Sequence, residues 1–354
     1  MAKKKTKSKS KRSSHKTGYV IISILALVSS LIVYLLFLRS STKFDSEDTT
    51  ILISSNNAEK TYIKPVLEEV IEPVSFQTFL VLADWFDYWN TIKPGRYLID
   101  RNSSIFTIFR KLKGGTQTPV KLTINKYRTK KDLSHFISTK LNITDTAMYL
   151  FLTTEDSLSL LGLESEQAMT IIIPNTYSIY WNTNPKEFLM KMQKEANKFW
   201  NSDRIEKAKK LGLSKEEVYV IASIVEEETN NPTEKPKMAS VYINRLKKDM
   251  NLGADPTIKF ALGDFSIKRI TMNEINNSSS SPYNTYKNKG LPPGPICTPS
   301  ILTIDAVLKG EKTGYLYFCA KPDFSGTHNF AVTAEEHFEN ARKYRIALDQ
   351  RKIH

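Results

Sequence analysis

The segment Tyr19–Leu38 (YVIISILALVSSLIVYLLFL) constrains this chain most, because it runs for twenty residues without a charged side chain. A helix of that length spans about 30 Å, the thickness of a hydrocarbon core. A cleaved signal peptide is the main alternative, but its apolar run is usually shorter and ends at small residues. This run ends in Phe37-Leu38-Arg39. We therefore predict an uncleaved transmembrane helix over residues 19–38.

Basic residues are concentrated just before this segment. The chain has a formal charge of +14, but residues 1–16 carry eight Lys or Arg and no acid, which leaves +6 for the rest. The positive-inside rule then predicts a cytoplasmic tail over residues 1–18, with residues 40–354 outside the cytoplasm. A topology signal that also touches anionic lipid headgroups explains the tail better than nucleic-acid binding does.

The remaining composition indicates a folded, mixed protein without a metal or redox centre. Aromatic residues make up 10% and charged residues 25% of the chain, enough for a buried core. Cys297 and Cys319 lack CxxC spacing, and the five histidines lack an HExxH pattern. We expect free or structural thiols, no metal site and no cofactor.

The pattern of apolar residues predicts an α+β chain with one transmembrane helix and two folded parts. After a linker over residues 39–50, strands and helices alternate over 51–125. The predicted elements there are strand 51–53, helix 76–86, strand 95–99, a helix 105–113 capped by Asn102 and ended by Gly114-Gly115, and strand 119–124. Together they predict a small α/β subdomain.

Residues 126–350 read as a mainly helical domain with a few short strands. Thr129 with Asp132, and Thr333 with Glu336, have the spacing of capping boxes. Two strands are predicted near the end of the domain, over residues 315–320 and 328–332.

The strongest local pattern is SKEEVYVIASIVEEET, residues 214–229. Ser214 and Glu217 form a capping box, and apolar residues then cover nearly the whole circumference, which predicts a buried helix. The helix ends in Glu226, Glu227 and Glu228. Burial and the C-terminal dipole both disfavour carboxylates, so at least one of the three should have a raised pKa and be able to act as a general acid. Periodicity does not select one, and a solvated helix end is the plain structural alternative.

A stiff loop, SPYNTYKNKGLPPGPICTP (residues 281–299), follows farther on, with five prolines. Tyr283 and Tyr286 have rings that can stack on sugars, while Asn284 and Thr285 can bond to hydroxyl or acetamido groups. A purely structural loop is an equal alternative.

Four stretches in fixed order resemble a known family: ASIVEEET at 222–229, KMASVYINRL at 237–246, ADPTIKFALG at 254–263 and SPYNTYKNKGLPPGPICTPS at 281–300. YLYFCA followed by HNFAVT is a fifth. This ordered set resembles the membrane-anchored endolytic murein transglycosylases, also called MltG or YceG-like proteins. The match is dense from about residue 214 to 345.

The resemblance implies a LysM-like subdomain at 51–125 and a YceG-like catalytic domain at 126–350. It also implies a single-pass protein of the bacterial cytoplasmic membrane that cuts nascent glycan strands between N-acetylmuramic acid and N-acetylglucosamine. The product ends in 1,6-anhydro-N-acetylmuramic acid. By the family pattern Glu226, protonated by burial, is the catalytic residue, and Glu228 is the runner-up and supporting partner.

The resemblance also nominates residues that contact the saccharide, and partners. The predicted contacts are Asn244, Asp255, Thr257, Tyr283, Asn284, Thr285, Tyr286 and His328. Asp255 and Thr257 are expected to shape the cleft, and for His328 a structural role at the start of a strand is the alternative. Expected partners are peptidoglycan strands, the lipid bilayer and peptidoglycan synthases, with a role in ending strand elongation. An inactive peptidoglycan-binding scaffold is the alternative, and a hydrolase, which would need a second carboxylate such as Asp255, would leave a reducing end instead.

Overall fold

The computed structural model describes residues 11–351. The chain forms two compact units. The first runs to Val120 and includes Tyr180–Asn182, and the second comprises Lys121–Ile179 and the chain from Thr183 onward.

A long apolar helix begins the described chain. Helix α1 covers Lys11–Val33 and continues as a π-helical turn over Tyr34–Leu38. Thr17–Leu38 is long and apolar enough to cross a membrane, and none of its most apolar stretch is buried in the protein. This helix coincides with the segment predicted from the sequence to span the membrane.

The first unit then builds a two-stranded antiparallel sheet covered by helices. Its elements are β1 (Asp48–Ile53), α2 (Lys60–Val70), α3 (Pro73–Trp85), β2 (Gly95–Asp100) and α4 (Ile105–Gly114). Strands β1 and β2 pair with Ile51 opposite Tyr97. Their inward side chains join Phe79 and Leu112 in one buried core.

Two details of this unit differ from the sequence prediction. Ser104, rather than Asn102, caps α4, because its hydroxyl accepts the Thr107 N–H while Asn102 takes a left-handed conformation at φ 67°. The last predicted strand also does not join this sheet: β3 (Val120–Thr123) pairs with β4 (Thr176–Ile179). As predicted, Gly115 ends α4 in a left-handed conformation.

The second unit is mostly helical. Its helices are α5 (Lys130–Ser138), α6 (Asp145–Thr153), α7 (Glu155–Ser159), α8 (Pro185–Phe199), α9 (Ser202–Leu211), α10 (Lys215–Glu228), α11 (Lys235–Lys247), α12 (Asp255–Leu262), α13 (Met272–Asn277), α14 (Ile301–Leu308) and α15 (Ala334–Gln350). Strands β5 (Tyr317–Ala320) and β6 (His328–Ala331) form a hairpin. The three predicted capping boxes are confirmed at the starts of α5, α10 and α15.

Helix α10 lies at the centre of this unit, as its apolar circumference predicted. Every residue from Val218 to Val225 is buried, and the helix packs against α11, α12 and α14. The Ser223 hydroxyl accepts the Ile296 N–H at 3.1 Å, and the Cys297 thiol donates to the Ser223 carbonyl at 3.4 Å. The proline-rich loop is thus fastened to α10. Cys297 and Cys319 are both free thiols.

Candidate active site

The last turn of α10 carries three consecutive glutamates that point to different neighbours. Successive residues of a helix project about 100° apart, so the three carboxylates cannot share one environment. Glu226 meets α11 and α14, Glu227 meets the segment before α5, and Glu228 meets Tyr242 of α11. Their partners give the three groups different acid strengths.

Glu226 forms a buried ion pair. Its Oε2 lies 2.8 Å from Nζ of Lys235, whose side chain is only 5% exposed. The same oxygen accepts hydrogen bonds from Ser300, at 3.0 Å, and from Thr303. Burial alone raises the pKa of Glu226, but these donors outweigh it and hold the pKa below its ordinary value. The expectation that burial keeps Glu226 protonated is therefore wrong, because its charged form is the one stabilised.

Glu227 is also held as a carboxylate. It pairs with Lys126 at 3.0 Å and with Arg128 at 2.8 Å. Burial raises the pKa of Glu227, yet hydrogen bonds from the two cations bring it below the ordinary value. The Arg128 guanidinium in turn lies over the Phe265 ring, 4.8 Å from its centre. Glu227 thus connects α10 to the segment that precedes α5.

Glu228 has the opposite character. Its Oε1 accepts a hydrogen bond from the neutral Tyr242 hydroxyl at 2.6 Å. Burial raises the pKa of Glu228 to about 7, the charge of Asp255 adds to the effect, and the Tyr242 hydrogen bond offsets it only in part. One of the three glutamates was expected to have a raised pKa, and it is this one. A carboxyl group with a pKa near 7 can both give and take a proton at neutral pH.

Glu228 is one of the residues that line an open cleft of about 640 Å³. The residues that line it are Glu228, Arg245, Met250, Asn251, Gly253, Asp255, Tyr286, Tyr317, Phe318, His337 and Phe338. Aromatic rings contribute much of this wall, as in sites that stack sugar rings. A carboxyl group that is both partly protonated and open to a cleft is a candidate general acid.

Asp255 is the second carboxylate of this cleft. The Tyr286 hydroxyl donates to its Oδ1 at 2.5 Å. Desolvation by the surrounding protein raises the pKa of Asp255, although the Tyr286 hydrogen bond acts against it. Burial and the Asp255 charge together raise the pKa of Tyr286, so this hydroxyl stays protonated. The predicted residues Asp255 and Tyr286 therefore lie in one cleft with Glu228.

Arg245 contributes positive charge to the same cleft. Its Nε donates to the Leu316 carbonyl and its Nη1 to the Leu252 carbonyl, each at 2.6 Å. The guanidinium lies over the Tyr317 ring, 5.4 Å from its centre. These contacts hold the cleft wall together and fix the charge beside it.

Four of the predicted saccharide contacts make hydrogen bonds within the cleft walls. Asn244 donates to the carbonyls of Thr313 and Tyr315, both at 2.9 Å. The Thr257 and Thr285 hydroxyls lie 2.9 Å apart, and both side chains are buried. Asn284 is fully buried and donates to the Ile275 carbonyl. The contacts of Thr257, Thr285 and Asn284 fix the backbone beside Asp255 and Tyr286, whereas Asn244 fixes the segment that leads into β5.

The other two predicted contacts lie away from Glu228. Tyr283 lines a separate cavity of about 280 Å³, where its ring packs 4.7 Å from that of Phe260. His328 is largely buried: its Nδ1 lies 3.0 Å from Glu234, and its ring packs edge-on behind Phe318 of the cleft wall. His328 therefore supports the cleft wall.

Sequence reasoning missed several residues that line the cleft, and Tyr242, which bonds to Glu228. Arg245 and Tyr242 lie within KMASVYINRL, and Tyr317 and Phe318 within YLYFCA, so the matching stretches contained them without assigning them a role. His337 and Phe338 lie on α15, where the capping box was the only signal. Within residues 11–351, no group of three or more His, Cys, Asp or Glu side chains is arranged to hold a metal ion.

A comparison with protein families finds a match to one family model. The model of the YceG-like family matches residues 56–343, most of the chain. A crystal structure of a YceG-like protein from Listeria monocytogenes is similar in fold, with a TM-score of 0.54 and 25% sequence identity. The matched region covers 83% of this chain and 99% of the Listeria chain.

Two curated relatives carry the name endolytic murein transglycosylase. The protein from Bacillus subtilis strain 168 is 37% identical over 163 residues, which are 46% of this chain and 44% of the relative. The protein from Streptococcus pneumoniae strain D39 is 32% identical over 180 residues, 49% of this chain and 31% of the relative. The matched part of this chain thus spans less than half the length of these relatives.

Proposed function

Since this chain belongs to the YceG-like family, we propose that it is an endolytic murein transglycosylase, anchored in a membrane by α1. Its substrate is the glycan strand of peptidoglycan, cut between N-acetylmuramic acid and N-acetylglucosamine. The names of the curated relatives support this activity. The observation that carries the assignment of the acid is Glu228, whose pKa lies near 7 at the wall of an aromatic cleft.

In this proposal Glu228 performs both proton transfers. Its protonated carboxyl donates to the bridging glycosidic oxygen while the bond to the anomeric carbon of N-acetylmuramic acid breaks. The resulting carboxylate then takes the proton of the C6 hydroxyl, whose oxygen bonds to the same carbon and closes the 1,6-anhydro ring. A group with a pKa near the working pH suits both steps. No water is consumed, so the reaction is that of a lyase.

The neighbours of Glu228 have supporting roles in this scheme. The Tyr242 hydroxyl orients the carboxyl, and the Asp255 charge disfavours its ionisation before the substrate reacts. A negative charge at Asp255 also favours the positive charge that develops on the sugar ring. Glu226, paired with Lys235, is a poor proton donor, so we propose it as the residue that fixes the end of α10.

The place of action and the partners are also proposals. A cytoplasmic N-terminus at the bacterial inner membrane would put the chain that follows α1 on the periplasmic side, where glycan strands are made. We propose a LysM-like role in glycan binding for the subdomain at residues 51–125. Peptidoglycan synthases are the proposed protein partners, and the end of strand elongation the proposed role.

Product analysis tests the activity. The full chain in detergent is incubated with uncrosslinked glycan strands, and the products are identified by mass spectrometry. Four forms are compared: wild type, Glu228→Gln, Glu226→Gln, and Glu206→Gln as a control at an exposed glutamate of α9. We expect internal fragments with anhydro ends from every form except Glu228→Gln, although Glu226→Gln should be less stable.

Other outcomes point elsewhere. Reducing ends would identify a hydrolase, with Asp255 as its second carboxylate. Glycan binding without cleavage by the wild type would favour the scaffold alternative. Full activity of Glu228→Gln, together with an inactive but folded Glu226→Gln, would identify Glu226 as the general acid. That is the residue that the resemblance alone suggested.

A further inference from the structure

The apolar helix α1 does not lead into a loose tether. Leu36, in its final turn, packs against the core of the first unit. The next residue, Phe37, places its ring 4.5 Å from that of Phe106 on α4. Arg39 then forms an ion pair with Glu72 at 3.0 Å. The end of the helix is therefore part of the first unit.

The segment that follows is fixed by backbone hydrogen bonds. The Ser41 N–H donates to the Ser103 carbonyl at 3.0 Å, and the Ser41 carbonyl accepts the Glu72 N–H at 2.9 Å. Lys43 donates its N–H to the Val70 carbonyl at 3.1 Å. Ser41 itself is fully buried. The first turn of α4 and the start of α3 thus lie next to the point where the chain leaves the apolar helix.

An exposed apolar stripe starts at that same point. Val74, Val81 and Trp85 follow one another on one side of α3 and are 60%, 49% and 79% exposed. Phe86 extends the stripe, is 54% exposed, and packs against Phe109 of α4 at 5.6 Å. Trp85 and Phe86, the most exposed aromatic residues of this stripe, make its far end a candidate interaction site.

Helix α4 adds positive charge beside the stripe. Its sequence, IFTIFRKLKG, has three cations and no acid. Phe106, Arg110 and Lys113 follow at helical spacing on its outer side, and Arg110 is exposed. Aromatic rings flanked by basic side chains are typical of protein surfaces that lie at a lipid–water interface.

We propose that this rim, made of Val74, Val81, Trp85, Phe86, Phe106 and Arg110, rests on the phospholipid surface of the membrane that α1 spans. The apolar side chains enter the headgroup region, and Arg110 faces lipid phosphates. This inference rests on the membrane anchoring proposed above. Because α1 and the rim belong to the same compact unit, this contact would hold the first unit against the bilayer.

Fluorescence quenching by lipid tests the rim. The full chain is reconstituted in vesicles of phosphatidylcholine and phosphatidylglycerol, with or without bromine atoms in the acyl chains. Trp85→Phe is compared with wild type and with Trp200→Phe, the same change at a tryptophan that is 8% exposed in the second unit. We expect bromolipid to quench the wild type, Trp85→Phe to lose at least about half of that quenching, and Trp200→Phe to keep it.

Two controls separate the possible failures. Flotation of the vesicles after an alkaline carbonate wash reports the anchor, and a chain that washes off would overturn the anchoring and this inference with it. A chain that stays bound but shows equal quenching in the wild type and Trp85→Phe would overturn the rim alone and would leave a protein partner as the occupant of the stripe. Arg110→Gln should weaken quenching more with phosphatidylglycerol present than in phosphatidylcholine alone.

Discussion

Two glutamates two residues apart on α10 should respond in opposite ways to the same isosteric change. Glu228 is held in a site that disfavours its charge, whereas Glu226 is held in one that requires it. We expect Glu228→Gln to stabilise the second unit at alkaline pH and Glu226→Gln to destabilise it. Both amides keep the shape of the side chain, so the difference isolates the charge.

The magnitude follows from the pKa of Glu228. Its pKa is about 7 in the folded chain against an ordinary value of 4.5. Below 4.5 the group is protonated in both states and has no effect. As the pH rises from 4.5 to about 7, this carboxyl group ionises in the unfolded chain but stays mostly protonated in the folded one. The free energy of unfolding therefore falls by about 3 kcal/mol over this range. Glu228→Gln removes this loss. Glu226→Gln leaves Lys235 as a buried, unpaired cation and should cost roughly 3 kcal/mol or more.

Urea unfolding of the full chain in detergent, followed by circular dichroism at about pH 4 and about pH 8.5, measures both effects. The free energy of unfolding of Glu228→Gln relative to wild type should rise between the two pH values by about 3 kcal/mol. Glu206→Gln, at an exposed site, should show no such pH dependence. If Glu228→Gln gained nothing at alkaline pH, or if Glu226→Gln showed the gain instead, the assignment of the raised pKa would fail.

Two further predictions concern the same helix end. Tyr242→Phe removes a hydrogen bond that lowers the pKa of Glu228, so the fall of kcat/KM on the alkaline side of pH 7 should move up by about one pH unit. Asp255→Asn removes a charge that raises the same pKa, so the fall should move to lower pH. A shift in the same direction in both variants would contradict the proposed environment of Glu228. Lys235→Met should destabilise the second unit by about 3–5 kcal/mol, and adding Glu226→Gln should recover part of the loss in urea unfolding. No recovery would mean that the ion pair is not the source of the loss.

Local sequence signals predicted local structure well. The capping boxes at Ser214, Thr129 and Thr333 mark true helix starts, because a hydroxyl and a carboxylate three residues apart satisfy each other's backbone donors. The predicted cap of α4, Asn102, was wrong, because the turn geometry makes Ser104 the cap. Pairing between strands distant in sequence, such as β3 with β4, left no local signal.

The candidate site was predictable only in outline. The sequence implied that burial would raise the pKa of one glutamate, but which one depends on partners from distant segments. Lys235 and Arg128 form ion pairs with Glu226 and Glu227, whereas Glu228 accepts a hydrogen bond from the neutral Tyr242 hydroxyl. The family pattern favoured Glu226 from its position in the sequence motif. A motif carries no information on partners from distant segments. The sequence likewise did not show that Asn284 and Thr285 are buried, because their burial depends on how the loop folds.

The raised pKa of Glu228 at the end of α10 requires the complete fold. Glu226 meets Ser300 and Glu227 meets Arg128 across 74 and 99 residues of sequence, so these contacts close only when distant segments have come together. Before that, Glu228 is an ordinary carboxylate with a pKa near 4.5, ionised at neutral pH and unable to donate a proton. Under the proposed function, a newly exported, half-folded chain would therefore be unable to cut glycan strands, and the ability to cut would appear only with the finished fold.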